Sequence, residues 1–271
     1  VALVAAAGGG HNGRSNDARS RRVGVWRLNP SAHATDPVES TTLHFRSDAL
    51  AVALRPGCEE LAVGTANGAI HIFASPFDDE EGWLLDGRNP EQDPGLIQKD
   101  GTRNLGLSYS HDGTLLAAVR AGGGLTLYDM RTATAIGTRG RATRIANVVE
   151  FSPADDMILI DSENYFVTLH EVGPPAPVRK LSTETGDRDT STGKTTGLIT
   201  SADVSADGTI ALACDSRLQV WNESLLLDID LGQPMDTNYA LGFPVSLRAD
   251  AKQVACVLAS GMSVSVRDIP S

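Results

Sequence analysis

One short theme recurs along the chain, and few folds accommodate it. The theme is an alternating strand, a tight polar turn, a small apolar strand, a second turn, and an alternating strand with an aromatic near its end. Three copies are well defined: Ala51–Pro56, Leu61–Thr65 and Ala69–Phe73; Leu105–Ser110, Leu115–Val119 and Leu125–Asp129; Thr200–Ala206, Ile210–Cys214 and Leu218–Asn222. Two are looser, Val148–Pro153 with Met157–Ile160 and Phe166–Glu171, and Val245–Ala249 with Val254–Ala259 and Ser263–Asp268. A partial copy, Ala2–Ala7 with Val23–Leu28, opens the chain and lacks its two leading strands.

Aligning the ends of the last strands puts Trp26, Phe73, Tyr128, His170, Trp221 and Arg267 in register, with successive gaps of 47, 55, 42, 51 and 46 residues. A period of this length is the mark of stacked supersecondary units, and about 40–50 residues suits four-stranded blades. Within each unit the apolar period is two, and no window sustains the 3.6-residue period of an amphipathic helix. The expected fold is therefore all-β, a β-propeller of four-stranded antiparallel blades, six or seven in number, forming a single domain over residues 1–271. The units span about 1–28, 41–73, 100–129, 145–171, 197–222 and 240–268. The polar stretches Asp78–Lys99 and Gly173–Lys194, rich in turn formers, are expected to be loops between blades. Asp112-Gly113, Asp207-Gly208 and Asn67-Gly68 close hairpins, because Gly takes positive φ while the Asx side chain bonds its own backbone.

Composition limits what such a fold does. Lys plus Arg number 23 and Asp plus Glu 34, for a net charge of −11. That balance opposes broad attraction to phosphate backbones and anionic membranes, so nucleic acid is not an expected partner. Cys58, Cys214 and Cys256 are odd in number and far apart, so they form neither a disulfide framework nor a metal knuckle. A reducing compartment, cytoplasmic or nuclear, is the expectation. No run of about 18 apolar residues is present, so no membrane insertion is expected of this segment. The start Val1–Ala7, followed by Gly8-Gly9-Gly10, reads as a strand, and a chain opening on Val suggests flanking sequence.

The residues FSP and YSHDG before small apolar strands, then LTLYD, LQVWN and VSVRD, resemble the WD-repeat family over nearly the whole chain. The Gly-His and buried Asp of the standard repeat are mostly missing. The resemblance implies a non-catalytic protein–protein interaction scaffold, a subunit or adaptor of a larger assembly whose partners are other proteins. Two narrower resemblances point to partners. Tyr128-Asp129-Met130-Arg131 resembles the W-D-x-R box by which some WD-repeat proteins engage the adaptor of cullin-RING ubiquitin ligases, which implies Asp129 and Arg131 as contacts. Ala5–Gly10, a polar loop and Val23–Leu28 resemble the first blade of the exchange factor for the COPII-coat GTPase, which implies a potassium-binding role for Asn12 or Asn16. Arg14, Arg19, Arg21 and Arg22 form a basic cluster against the acidic background, repeated more weakly at Arg139, Arg141 and Arg144; an acidic partner would dock on such a cluster.

Chemistry is harder to find. Thr192-Gly193-Lys194-Thr195 mimics half of a phosphate-binding loop, but Gly186 and Gly193 enclose six residues where that motif needs four. The six histidines, His11, His33, His44, His71, His111 and His170, never pair at ligand spacing. A lactonase-like propeller enzyme with a central metal is the catalytic alternative, drawing on Glu59, Glu60, Asp161, Glu163, Asn164 and Asp215. The residues themselves favour no catalysis, no cofactor and no metal.

Overall fold

A computed structural model describes residues 2–7, 21–28, 39–57, 60–74, 83–84, 103–120, 124–139, 148–162, 166–172, 177–182, 199–214, 217–222, 224–231, 245–248, 250–257 and 264–270. Among them every regular element is a strand. No helix among them is long and apolar enough to cross a membrane. The chain divides into two compact units, Val1–Arg141 and Ala142–Ser271.

The first unit holds three sheets. They are β1–β3 (Ala2–Ala7, Arg22–Leu28, Glu39–His44), β4–β7 (Ala49–Leu54, Leu61–Thr65, Ile70–Phe73, Trp83–Leu84) and β8–β11 (Asn104–Tyr109, Leu115–Arg120, Leu125–Asp129, Thr134–Arg139). The second holds β12–β15 (Val149–Phe151, Met157–Ser162, Phe166–Glu171, Pro177–Ser182), β16–β19 (Ile199–Val204, Ile210–Cys214, Arg217–Trp221, Leu225–Asp230) and β20–β22 (Val245–Leu247, Gln253–Val257, Val264–Asp268). In each sheet the strands lie in chain order and every pairing is antiparallel.

The strands of the repeat copies fall where their alternation places them, and the opening copy has three strands. Two expectations need correction. The stretches read as loops, Asp78–Lys99 and Gly173–Lys194, contain the fourth strands Trp83–Leu84 and Pro177–Ser182. A strand on the outer edge of a sheet is covered on one side only, so its sequence carries little apolar alternation to read. The opening copy is also fuller than expected, because Ala2–Ala7 pairs residue for residue with β2 and Glu39–His44 closes that sheet.

The repeat extends to irregularities. In three sheets the third and fourth strands slip by a bulge, between Leu127 and Tyr128, Leu169 and His170, and Val220 and Trp221. In three the first pair slips too, near Ala49, Asn104 and Ile199. A bulge bends and twists its strand. The aligned residues Tyr128, His170 and Trp221 therefore sit just past one local kink in each sheet.

Cores lie between sheets. In the first unit Ala62, Ile70 and Ile72 of one sheet are buried with Leu107, Tyr109, Leu116, Ala118 and Tyr128 of the next. In the second, Leu218 and Val220 are buried with Leu247, Val254 and Cys256. A sheet has two faces, so each interior sheet must be apolar on both. That is why β5 (LAVGT) and β17 (IALAC) run nearly without polar residues.

Four of the hairpins joining first and second strands share one turn. The N–H of the fourth residue donates to the carbonyl of the first in Ser110–Gly113 (2.9 Å), Ser152–Asp155 (2.9 Å), Ser205–Gly208 (3.1 Å) and Arg248–Ala251 (2.8 Å). The fourth residue is left-handed each time, at φ of 70°, 57°, 81° and 55°. Gly suits that conformation and Ala does not, since a Cβ there crowds the following carbonyl. Ala251→Gly is therefore expected to stabilise by about 0.5–1 kcal/mol, and Gly208→Ala to cost about as much. Paired urea titrations, with Ala251→Gly moving the midpoint up, check this; a midpoint that falls sinks it.

Candidate interaction surface

In three of these turns the head residue is a serine whose buried hydroxyl donates to a carboxylate two or four residues on. Ser110 Oγ donates to Asp112 Oδ1 (2.6 Å), Ser205 Oγ to Asp207 Oδ1 (2.5 Å) and Ser152 Oγ to Asp156 Oδ1 (2.7 Å). Asp112 Oδ1 also accepts from the Thr114 amide at 2.8 Å, as Asp207 Oδ1 does from Thr209 at 3.0 Å. Asn67 Oδ1 fills the same role for Thr65 Oγ1 (2.6 Å) in the hairpin between β5 and β6. These bonds hold the Asp112 and Asp207 carboxyls below the usual carboxylate range, the serine hydroxyl contributing most.

The turn after β10 stands beside the one at Ser110. The Met130 amide donates to the Thr114 carbonyl at 2.9 Å, which brings the two turns to one end of the sheet. The four residues of the W-D-x-R-like box then divide their work. Tyr128 is fully buried and its Oη accepts from Arg120 Nη2 at 2.7 Å, and Met130 is buried as well. Asp129 and Arg131 form a fork: Arg131 Nη2 donates to Asp129 Oδ2 (2.8 Å), while Nε (3.2 Å) and the Arg131 backbone amide (2.9 Å) donate to Oδ1. Bidentate geometry fixes the plane of the guanidinium. The Arg131 side chain and its backbone amide hold Asp129 down to about 2, so it stays ionised at physiological pH. Arg131 is raised in turn by Asp129, with Asp112 adding a smaller attraction. Its side chain is nonetheless 73% exposed, so this end of the sheet presents an oriented cation backed by two carboxylates.

The other sequence candidates fare differently. Arg21 and Arg22 flank the start of β2, both exposed, and Arg21 Nε lies 3.7 Å from Asp48 Oδ1. Asn12, Asn16, Arg14 and Arg19 lie outside the described residues, as do Arg141 and Arg144. So does the Thr192–Thr195 stretch. Of the residues proposed to gather around a central metal, Glu59, Glu163, Asn164 and Asp215 also lie outside. Glu60 is described, and it is engaged elsewhere. Its Oε1 accepts from Tyr109 Oη at 2.6 Å and its Oε2 from Arg55 Nη1 at 3.4 Å. Burial and the adjacent carboxylate push the Tyr109 phenol well above its ordinary range. Among the described residues no group of three His, Cys, Asp or Glu is placed to hold a metal ion. His71 packs edge-on against Phe45, with ring centroids 5.3 Å apart.

Sequence reasoning missed two links between sheets. The Tyr109–Glu60–Arg55 triad joins β8–β11 to the sheet before it, across 49 residues for the Tyr–Glu bond. Asp203 and Ser201 on β16 accept from the amides of Leu247 (2.7 Å) and Val245 (3.2 Å) on β20. No spacing rule announces either, because both depend on which sheets become neighbours.

No protein-family model matches the sequence, and no curated protein matches it. Solved structures do. The β-propeller domain of Myceliophteria thermophila Cps50 (Swd1) superposes with a TM-score of 0.67 at 13% identity, covering 93% of this chain and 77% of that one. A chain of the mitotic checkpoint complex superposes with a TM-score of 0.64 at 14% identity, covering 93% and 71%. Sequential antiparallel sheets, recurrent hairpin turns and these superpositions agree: the chain has the fold of the WD-repeat β-propellers.

Proposed function

We propose that this protein is a non-catalytic interaction scaffold, a subunit or adaptor of a larger assembly, and that the sheet end bearing Asp129 and Arg131 is a docking point for an acidic segment of a partner protein. The carrying observation is the division of labour among its polar residues. Glu60, Asp112 and Asp207 are taken up by hydrogen bonds that hold the framework, while Arg131 is fixed in direction and left open to solvent. One superposed structure is a β-propeller domain and the other belongs to a multiprotein assembly, the mitotic checkpoint complex, which supports the same reading.

Exposed arginines dominate many protein interfaces, and truncating one that is central typically costs about 2 kcal/mol, roughly thirtyfold in affinity. Arg131→Ala is expected to lose the partner while leaving the melting temperature unchanged, since the fork lies on the surface. The check is affinity purification of the tagged wild type and Arg131→Ala from the protein's own cells, with quantitative mass spectrometry. A ligase adaptor lost from the variant would select the ubiquitin-receptor role. Equal recovery of every partner by both proteins would remove Arg131 from the interface.

A further inference from the structure

We propose that Asn67 is a site of spontaneous covalent modification: ring closure onto the Gly68 amide, followed by hydrolysis, converts it to aspartate, and the hairpin between β5 and β6 receives that product unchanged. This goes beyond the scaffold reading and stands independently of it.

Two hairpins of the chain share five hydrogen bonds, although one is built on Asn and the other on Asp. In the first, the Thr65 amide donates to the Ala69 carbonyl (3.0 Å) and the Gly68 amide to the Thr65 carbonyl (3.0 Å). Thr65 Oγ1 reaches Asn67 Oδ1 (2.6 Å) and the Ala69 carbonyl (3.0 Å), and the Ala69 amide reaches Asn67 Oδ1 (3.4 Å). In the hairpin between β16 and β17 the same five join Ser205, Asp207, Gly208 and Thr209, at 2.9, 3.1, 2.5, 3.1 and 3.0 Å. Gly68 and Gly208 are left-handed alike, at φ of 87° and 81°. Asn67 enters these bonds through Oδ1 alone, and a carboxylate oxygen accepts the same two in the sister turn.

The same contacts prepare the side-chain amide for attack. Two donors on Oδ1 draw electron density from Cγ and stand where negative charge develops as a nucleophile adds. The nucleophile is the next backbone nitrogen, and Gly68 has no Cβ to hinder its approach. Asn67 and Gly68 are half-buried, so water reaches them. The Gly68 nitrogen gives its proton to solvent and attacks Cγ. The N–Cγ bond forms, the Cγ–Nδ2 bond breaks, and ammonia leaves with a proton taken from water. Water then opens the five-membered imide, at Cγ to leave aspartate or at the main-chain carbonyl to leave isoaspartate. The sum is amide plus water to carboxylate plus ammonium, with no change of oxidation state. The Gly68 bond to the Thr65 carbonyl must open first, which makes the reaction slow.

The two products act differently on the hairpin. Aspartate keeps all five bonds. Isoaspartate carries the main chain through Cβ and Cγ and lengthens the turn between strands that pair residue for residue from Leu61↔Phe73 to Gly64↔Ile70. Leu61, Val63, Ile70, Ile72 and Phe73 are all buried, so the pairing has no room to slip. Both products close back to the imide, and the folded chain therefore collects in the aspartate form.

Prolonged incubation of the folded full chain at mildly alkaline pH, beside the same chain unfolded in urea, tests this. Ion exchange is expected to show a growing species with one negative charge beyond the net −11 of the starting chain. Peptide mapping, with fragmentation that separates aspartate from isoaspartate, is expected to find aspartate at position 67 of the folded chain and isoaspartate there chiefly in urea. The map also separates position 67 from Asn12, the other asparagine followed by glycine. Asn67→Asp is expected to unfold at the wild-type urea midpoint. A position 67 that stays an amide in the folded chain overturns the proposal, and so does isoaspartate as the main folded-state product or a lowered midpoint for Asn67→Asp.

Discussion

Tyr128→Ala is expected to lower the unfolding free energy by about 3–5 kcal/mol, the largest effect of any single truncation in the first unit. Two losses combine. The ring is fully buried among Ala62, Ile70, Ile72, Leu116 and Ala118, so removing it leaves a cavity between two sheets that small alanines cannot fill. The phenol oxygen also accepts from Arg120 Nη2, and without it the guanidinium loses a partner in a place where Arg120 Nε is already buried with no hydrogen bond. Tyr128→Phe separates these contributions, keeping the ring and removing the acceptor, at an expected cost of about 1–2 kcal/mol. Urea unfolding followed by far-UV circular dichroism measures both. Equal midpoints for Tyr128→Ala and wild type would contradict the packing described for this sheet pair.

The second large effect belongs to Glu60. Glu60→Ala strands the Tyr109 hydroxyl, which is buried, and frees Arg55, which lies across the turn at Gly113, where an added Cβ would meet its Nε at 2.9 Å. Leaving a buried polar group without its charged partner costs about 2–4 kcal/mol. The decisive measurement is a double-mutant cycle with Tyr109→Phe. A coupling of about 1–3 kcal/mol is expected for a short charge-assisted bond. Additive losses would mean that Glu60 stabilises through Arg55 alone.

Much of the fold was legible because its signal is local. Alternation and Asp-Gly turns located the second and third strands of most sheets, and the spacing of Trp26, Phe73, Tyr128, His170, Trp221 and Arg267 marked the repeat that the bulges at Tyr128, His170 and Trp221 reproduce in space. The fourth strands at Trp83–Leu84 and Pro177–Ser182 were not legible, since they are short or polar and turn formers surround them. Turns without glycine were hidden as well: nothing in Ser152–Asp155 or Arg248–Ala251 advertises the left-handed residue that Asp155 and Ala251 supply. At the candidate surface, the four residues of the box were visible as letters. The split between buried Tyr128 and Met130 and outward Arg131 required the sheet. The Glu60 triad lay wholly beyond reach, because Tyr109 and Glu60 meet only once two sheets pack.

Strands that pair only with their neighbours in the chain have a consequence for how the protein is made. No described strand waits for a distant partner, so each of these sheets closes its hydrogen bonds over a few dozen residues and pays a small entropy of loop closure. On a ribosome adding roughly 5–20 residues per second, a sheet is completed every few seconds, in order, before the next begins to emerge. What accumulates during synthesis is therefore a growing stack of finished hairpins whose newest apolar face stays uncovered until the following sheet arrives.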